Sequence, residues 1–146
     1  MLYSCGIIPF RRNDNGNIEF FVGHCQFYGV HETNYWGLLK GCKEGEETFE
    51  ETALREFKEE SGVVLKNITK NDLIPLGSVK QNKKKIVVAF GLYYPNIKPS
   101  ECVSNISDDG VTPEIDTYAW MGLEEISKKT HPTHIQFYEQ INNLFS

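Results

Sequence analysis

The sequence predicts a mixed α/β fold, because segments with the pattern of strands are followed by segments with the pattern of helices. Apolar, β-rich segments predict strands at 2–10, 18–26, 35–39, 72–80, 84–95 and 115–120. Helical spacing predicts helices at 48–61, 123–128 and 132–144. The turn-forming stretch RRNDNGN separates the first two strands, so we expect them to form a hairpin.

The helix predicted over 48–61 has a signal at each end. Thr48-Phe49-Glu50-Glu51 matches a capping box, in which the threonine oxygen accepts from a backbone N–H and the glutamate reaches back. Gly62 follows the last helical residue, where glycine adopts the left-handed conformation common just beyond a helix. We therefore expect the helix to begin after Thr48 and to end at Ser61.

Length and composition are those of an ordinary globular protein. The chain has 146 residues, 40% of them hydrophobic and 24% charged, so we expect one domain spanning residues 1–146. These values exclude the disordered, collagen-like and membrane classes. In the N-terminal segment MLYSCGIIPFRR the arginines follow a short apolar run, which fits neither a signal peptide nor a spanning helix. We therefore expect a cytoplasmic protein.

The cysteines and the net charge exclude further classes. Cys5, Cys25, Cys42 and Cys102 contain no C-x-x-C pair, which favours reduced thiols over zinc sites or disulfides. A net charge of −5 argues against duplex nucleic acid or an anionic membrane as a main partner, since both attract basic surfaces.

Acidic residues are concentrated in one part of the chain. Eight glutamates lie within residues 44–60: Glu44, Glu46, Glu47, Glu50, Glu51, Glu56, Glu59 and Glu60. On a helix, Glu56, Glu59 and Glu60 share one face, next to an apolar stripe. That stripe consists of Phe49, Ala53 and Phe57. The glutamates could simply form a solvated face, but clustered like charges repel unless they bind a cation, and oxygen ligands suit Mg²⁺ or Mn²⁺.

The chain resembles the Nudix hydrolase family, because it contains the pattern G-x5-E-x7-R-E-U-x-E-E-x-G-U, where U is apolar. The matching residues are Gly41, Glu47, Arg55, Glu56, Phe57, Glu59, Glu60, Gly62 and Val63. Phe57 departs from the usual aliphatic residue without removing a ligand. The order of predicted elements is similar to the Nudix α/β/α sandwich with a mixed central sheet, so the resemblance implies that fold over nearly the whole chain.

The resemblance also implies a divalent-metal site for Mg²⁺ or Mn²⁺. Glu56, Glu59 and Glu60 match the family's metal-binding glutamates, and the backbone carbonyl of Lys40 matches a further ligand. An acid from a distal loop often completes such a site, and Glu114 is the candidate for it.

The remaining motif residues have other implied roles. Arg55 and Glu47 match a pair that orients the loop and the helix. Asp116 is the alternative to Glu114 as the distal acid. Either Glu56 or Glu114 could take a proton from the attacking water, and the sequence does not decide between them.

The expected reaction is attack of water on phosphorus in a diphosphate linkage of a nucleotide-like small molecule. The flanks SCGIIPFRR at 4–12 and EIDTYAWMGLEEI at 114–126 are similar to those of the asymmetrical diadenosine tetraphosphate hydrolase branch. Leu39 departs from the Pro-Lys-Gly sequence usual in that branch. The alternatives are a (d)NTP pyrophosphatase, an RNA 5′-end pyrophosphohydrolase, a sugar-nucleotide hydrolase, a non-catalytic nucleotide sensor and an acidic scaffold protein.

Substrate contacts are predicted from lysines and aromatic residues. Lys40 and Lys84 are the lysines predicted to bind substrate; the run Lys83 to Lys85 could contact phosphates or belong to a solvated turn. Aromatic candidates for stacking a base are Phe27, Tyr28, Tyr35, Trp36, Tyr118 and Phe137, of which Tyr118 and Phe137 are preferred. The polar stretch 96–113 is predicted as a long loop of the kind that often carries function. The histidines show no metal-ligand spacing.

Overall fold

A computed structural model describes residues 1–28, 31–106, 110 and 112–146, with the side chains of 26–28 and 31–33 excepted. Its strands are β1 (Leu2–Arg12), β2 (Ile18–Tyr28), β3 (His31–Gly37), β4 (Leu39–Cys42), β5 (Ile74–Asn82), β6 (Lys85–Tyr93) and β7 (Thr117–Gly122). Its α-helices are α1 (Phe49–Ser61), α2 (Leu123–Lys129) and α3 (Ile135–Phe145). Short 3-10 turns lie at Lys70–Asp72, Pro99–Glu101 and Pro132–His134.

The strands form one mixed sheet. Its main order is β3-β2-β1-β6-β5, with β4 paired to β1 and β7 paired to β2. Strands β1 and β6 run parallel, and the other pairs are antiparallel. The predicted α/β class with a mixed central sheet is confirmed, as is the hairpin of the first two strands. In the described part of the chain, no helix has the length and apolar character needed to cross a membrane.

Strand β1 changes partner along its length. Residues 10–12 pair with β2, whereas residues 4–7 pair with β4, so that Cys5 lies opposite Gly41 and Gly6 opposite Lys40. On its other edge, residues 2–10 of β1 pair with β6. The Gly41 motif therefore begins on a short strand held against the central strand of the sheet, rather than in a loop.

Helices cover both faces of the sheet. Helix α1 contributes Ala53 and Phe57 to a core cluster that includes Ile7 and Leu39 of the sheet. Because successive side chains of a strand point to opposite faces, the neighbouring residues of these strands face the second cluster. That cluster contains Ile8, Phe20 and Val22 with Ile126, Phe137, Tyr138 and Ile141 of α2 and α3. The result is a sandwich with α1 on one side and α2 and α3 on the other.

Two predicted elements differ from the observed ones. The single strand predicted over 35–39 is instead the end of β3 and the start of β4, which are separated at Leu38. The helix predicted over 132–144 begins as the 3-10 turn Pro132–His134 and becomes α-helical only at Ile135. Proline has no N–H and a fixed φ, so it is favoured in such a first turn.

Both predicted ends of α1 are confirmed. The Thr48 hydroxyl oxygen accepts from the Glu51 N–H at 3.1 Å, and the Glu51 carboxylate accepts from the Thr48 N–H at 2.8 Å. Gly62 has a φ of 72°, in the left-handed region that favours glycine. The helix that carries the glutamates is thus fixed at each end by local hydrogen bonds.

Replacement of Thr48 by alanine is expected to lower the free energy of unfolding by about 1 kcal/mol, because the capping hydroxyl is lost. Urea denaturation followed by far-ultraviolet circular dichroism measures the change. Thr48→Ser retains the hydroxyl and serves as the matched control, with stability close to that of the wild type. Equal stability of the alanine variant and the wild type would show that the capping box contributes nothing.

Candidate active site

Glu47 and Arg55 hold the loop before α1 against the helix. The Arg55 guanidinium donates to the two carboxylate oxygens of Glu47 at 2.7 and 3.0 Å and to the carbonyl of Cys42 at 3.0 Å. Glu47 also accepts from the Glu44 N–H and from the Thr52 hydroxyl, each at 3.0 Å. The hydrogen bonds from Arg55 lower the pKa of Glu47 to about 2. The predicted pair is therefore in direct contact and joins loop to helix.

Thr52 contributes to this arrangement, although its role was not predicted from the sequence. Its side chain is buried in the first turn of α1 and donates to Glu47. A threonine inside a helix carries no distinctive spacing, so only the folded structure reveals this contact.

Glu56 lies directly against Gly41. The residue is 8% exposed, and Arg55 donates to its carboxylate at 2.8 Å. A Cβ atom on Gly41 would lie 2.1 to 2.3 Å from the Glu56 carboxylate, which is closer than any real contact. Burial raises the pKa of Glu56, and the hydrogen bond from Arg55 opposes that shift. The motif therefore requires glycine at position 41 to leave room for this carboxylate.

Glu60 is the most deeply buried acid of the cluster, at 3% exposure. Its carboxylate accepts from the backbone N–H of Lys40 at 3.1 Å, and its own carbonyl accepts from the Tyr118 hydroxyl. Burial raises the pKa of Glu60 well above its usual value, and the nearby Glu56 and Glu114 raise it further. This carboxylate is thus held against the backbone of the residue whose carbonyl is a predicted metal ligand.

Glu59 has a different environment from the other two motif acids. Its side chain is 42% exposed and accepts from Arg55 at 3.2 and 3.4 Å. The same guanidinium nitrogen donates to Glu56, so Arg55 bridges the two acids. Glu59 therefore lies at the outer side of the cluster, whereas Glu56 and Glu60 are buried inside it.

The distal acid predicted from the sequence lies near the buried glutamates. Glu114 is exposed, and its charge raises the pKa of both Glu56 and Glu60, in addition to the larger effect of burial. Asp116, the alternative, instead places a carboxylate oxygen 2.7 Å from Nδ1 of His24. Of the two candidates, Glu114 is the one associated with the acidic cluster.

The cluster has a donor set suited to a hard divalent cation. Across residues 1–28, 31–106, 110 and 112–146, no three acidic, histidine or cysteine side chains are already arranged as ligands around one point. Instead Arg55 engages Glu56 and Glu59. The buried carboxylates of Glu56 and Glu60 are oxygen donors of the kind that Mg²⁺ prefers, and a cation would offset the part of their burial cost that Arg55 does not compensate.

The two predicted lysines differ in their burial and in the part of the fold where they lie. Since Gly41 faces Glu56, strand alternation places the Lys40 side chain on the opposite face of the sheet. Burial and the charge of Lys85 lower the pKa of Lys40 to about 8. The predicted Lys84 is exposed in the turn between β5 and β6, where its N–H donates to Asn82. Lys85, rather than Lys84, is the lysine whose charge acts on Lys40.

For one of the two preferred aromatic residues, the predicted stacking on a base is wrong. Phe137 is 1% exposed and packs in the core on the α3 side of the sheet, so it cannot stack on a base beside α1. Tyr118 stacks on Phe21 with ring centroids 5.9 Å apart and lies next to Glu60. The side chains of Phe27 and Tyr28 fall outside the described residues.

Comparison with known proteins identifies the family. A NUDIX domain profile matches residues 4–141. The mouse asymmetrical bis(5′-nucleosyl)-tetraphosphatase is 32% identical over 131 residues, which are 85% of this chain and 81% of the mouse protein. The rat protein of the same name is 31% identical over 135 residues, with the same shares of both chains covered.

Two solved structures have a similar fold. The NUDIX domain of Shewanella oneidensis NrtR, complexed with ADP ribose, has a TM-score of 0.73 and 16% identity, covering 100% of this chain and 89% of that one. A Caenorhabditis elegans Ap4A hydrolase binary complex has a TM-score of 0.63 and 19% identity, covering 97% and 96%. These two structures show the fold. The profile match and the 32% identity to the mouse protein show that this chain belongs to the NUDIX family and is a Nudix-type pyrophosphohydrolase.

Proposed function

We propose that the protein hydrolyses a diphosphate linkage in a dinucleoside polyphosphate of the diadenosine tetraphosphate type, with Mg²⁺ or Mn²⁺ as its cofactor. The observation that carries the proposal is the contact of Glu60 with the Lys40 N–H and of Glu56 with Gly41. Glu114 lies near this cluster, because its N–H donates to the Asn105 carbonyl at 3.1 Å and the Asn105 N–H donates to the Glu59 carbonyl at 2.9 Å. The substrate class is supported by the name of the mouse relative, an asymmetrical tetraphosphatase. Nudix hydrolases as a family generally use divalent metals, in agreement with this donor set.

The acids on α1 and in the distal loop would hold the cation. Glu56, Glu60, Glu114 and the Lys40 carbonyl are the proposed ligands, and Glu59 would join them on release from Arg55. A bound divalent cation screens the charge of the diphosphate and makes a bound water more acidic. Either Glu56 or Glu114 would take the proton from the attacking water.

Two other residues position the acids. Arg55 and Glu47 keep the loop before α1 in place, so that Gly41 can lie against Glu56.

A substrate panel tests the proposed class. Diadenosine tetraphosphate, (d)NTPs, nucleotide sugars and 5′-triphosphorylated RNA are incubated with the protein and Mg²⁺, and the products are identified by mass spectrometry. We expect the dinucleoside polyphosphate to be hydrolysed with the highest kcat/KM, to a nucleoside triphosphate and a monophosphate. A preference for one of the other three substrates would overturn the substrate class and leave the diphosphate chemistry intact.

Replacement of Glu60 by glutamine is expected to lower kcat/KM by at least about 100-fold, because a neutral amide neutralises no cation. The amide oxygen can still accept from the Lys40 N–H, so the variant should fold. Circular dichroism checks the fold, and Glu46→Gln, an exposed acid outside the cluster, is the control with unchanged kcat. Wild-type turnover by a folded Glu60→Gln variant would refute the proposed site.

A further inference from the structure

His24 connects strand β2 to the segment that follows the distal loop. Its Nδ1 lies 2.7 Å from the Asp116 carboxylate, and its Nε2 lies 2.8 Å from the side-chain oxygen of Asn34. The Trp36 ring lies against the imidazole, with centroids 5.2 Å apart. Both ring nitrogens are thus engaged and one side of the ring is covered, so the histidine is held in one orientation.

The contact between His24 and Asp116 involves the backbone as well. The Asp116 N–H donates to the His24 carbonyl at 3.2 Å, in addition to the contact between the two side chains. An isolated ion pair at the surface contributes little to stability. Here the side-chain and backbone contacts join the same two residues, which fixes the position of Asp116 relative to β2.

The segment 114–116 is anchored at every residue. The Glu114 N–H donates to the Asn105 carbonyl at 3.1 Å, and the Ile115 N–H donates to the Ser104 hydroxyl at 3.2 Å. Ile115 is 7% exposed, and its Cγ2 would lie 2.6 Å from a Cβ on Gly23, so it packs directly on the β2 backbone. His24 supplies the anchor on the β7 side of this segment.

We propose that His24 is a positioning residue that, through Asp116, holds the segment 114–116 so that the Glu114 carboxylate stays beside Glu56 and Glu60. The inference rests on the proposed function, because it assumes that Glu114 takes part in diphosphate hydrolysis. His24 itself is not a catalytic residue, since its ring nitrogens face Asp116 and Asn34 rather than the acidic cluster.

Kinetics of the proposed reaction give the first test. His24→Phe retains a ring against Trp36 but removes both hydrogen bonds, and it is expected to lower kcat by about 10- to 100-fold with KM within about twofold. Asp116→Asn retains an acceptor for Nδ1 and should keep near wild-type kcat, whereas Asp116→Ala should match His24→Phe. Glu19 lies on β2, as His24 does, and forms an ion pair with Arg11 of β1 at 2.9 Å; Glu19→Gln removes that ion pair and is the control with unchanged kcat.

A double variant tests whether His24 acts through Glu114. If it does, His24→Phe combined with Glu114→Gln is expected to be no slower than Glu114→Gln alone, because the residue being positioned is already disabled. Multiplicative losses in the double variant would overturn the proposal and show an independent effect on the fold.

Hydrogen exchange gives a readout that does not depend on activity. Mass spectrometry of peptides from the wild type and His24→Phe should show exchange in 112–118 accelerated about tenfold or more, with exchange in α1 unchanged. Unchanged exchange in 112–118 would overturn the positioning role even if activity fell. If the wild type hydrolyses none of the panel substrates, the proposed function fails, and the exchange experiment still decides whether His24 holds the segment.

Discussion

The hydrogen bond from the Lys40 N–H to the buried carboxylate of Glu60 joins the two parts of the site, the short strand β4 and helix α1. A carboxylate in the protein interior costs several kcal/mol unless hydrogen bonds or cations compensate it. This cost determines the surroundings of α1. Gly41 has no side chain where Glu56 must fit, Arg55 donates to Glu56, and Tyr118 joins β7 to the Glu60 backbone. The packing of helix on sheet and the clustering of the acids are therefore one arrangement.

The parts of this arrangement that depend on local spacing could be predicted from the sequence. The capping box at Thr48 and the glycine at position 62 determine the ends of α1, because each acts within a few residues of the chain. Helical spacing also places Glu56 and Glu60 together, since residues four apart share a face. A mixed sheet could be predicted from the sequence. The division of 35–39 between β3 and β4 could not, since it depends on the pairing of β4 with β1.

The features that sequence reasoning placed wrongly or missed depend on which face of the sheet a residue occupies. Phe137 has an aromatic ring, as a base-stacking residue requires, yet it lies on α3, which packs on the side of the sheet opposite α1. Lys84 and Lys85 are indistinguishable in a run of lysines, and only the register of β6 orients one of them toward Lys40. His24 and Asp116 are separated by 92 positions in sequence, so no local pattern could have paired them.

The three motif glutamates have unequal surroundings, and this inequality suggests how a cation could enter the site. Glu56 and Glu60 are buried and have little freedom to move, whereas Glu59 is exposed and shares Arg55 with Glu56. A guanidinium already compensates part of the clustered negative charge, so the acids can remain together before a cation binds. A bound divalent cation would supply that charge itself, and Arg55 could then keep its two hydrogen bonds to Glu47 while it releases Glu59. Glu47 therefore does more than fix a loop, because it retains the arginine beside the site whether or not the arginine contacts the other acids.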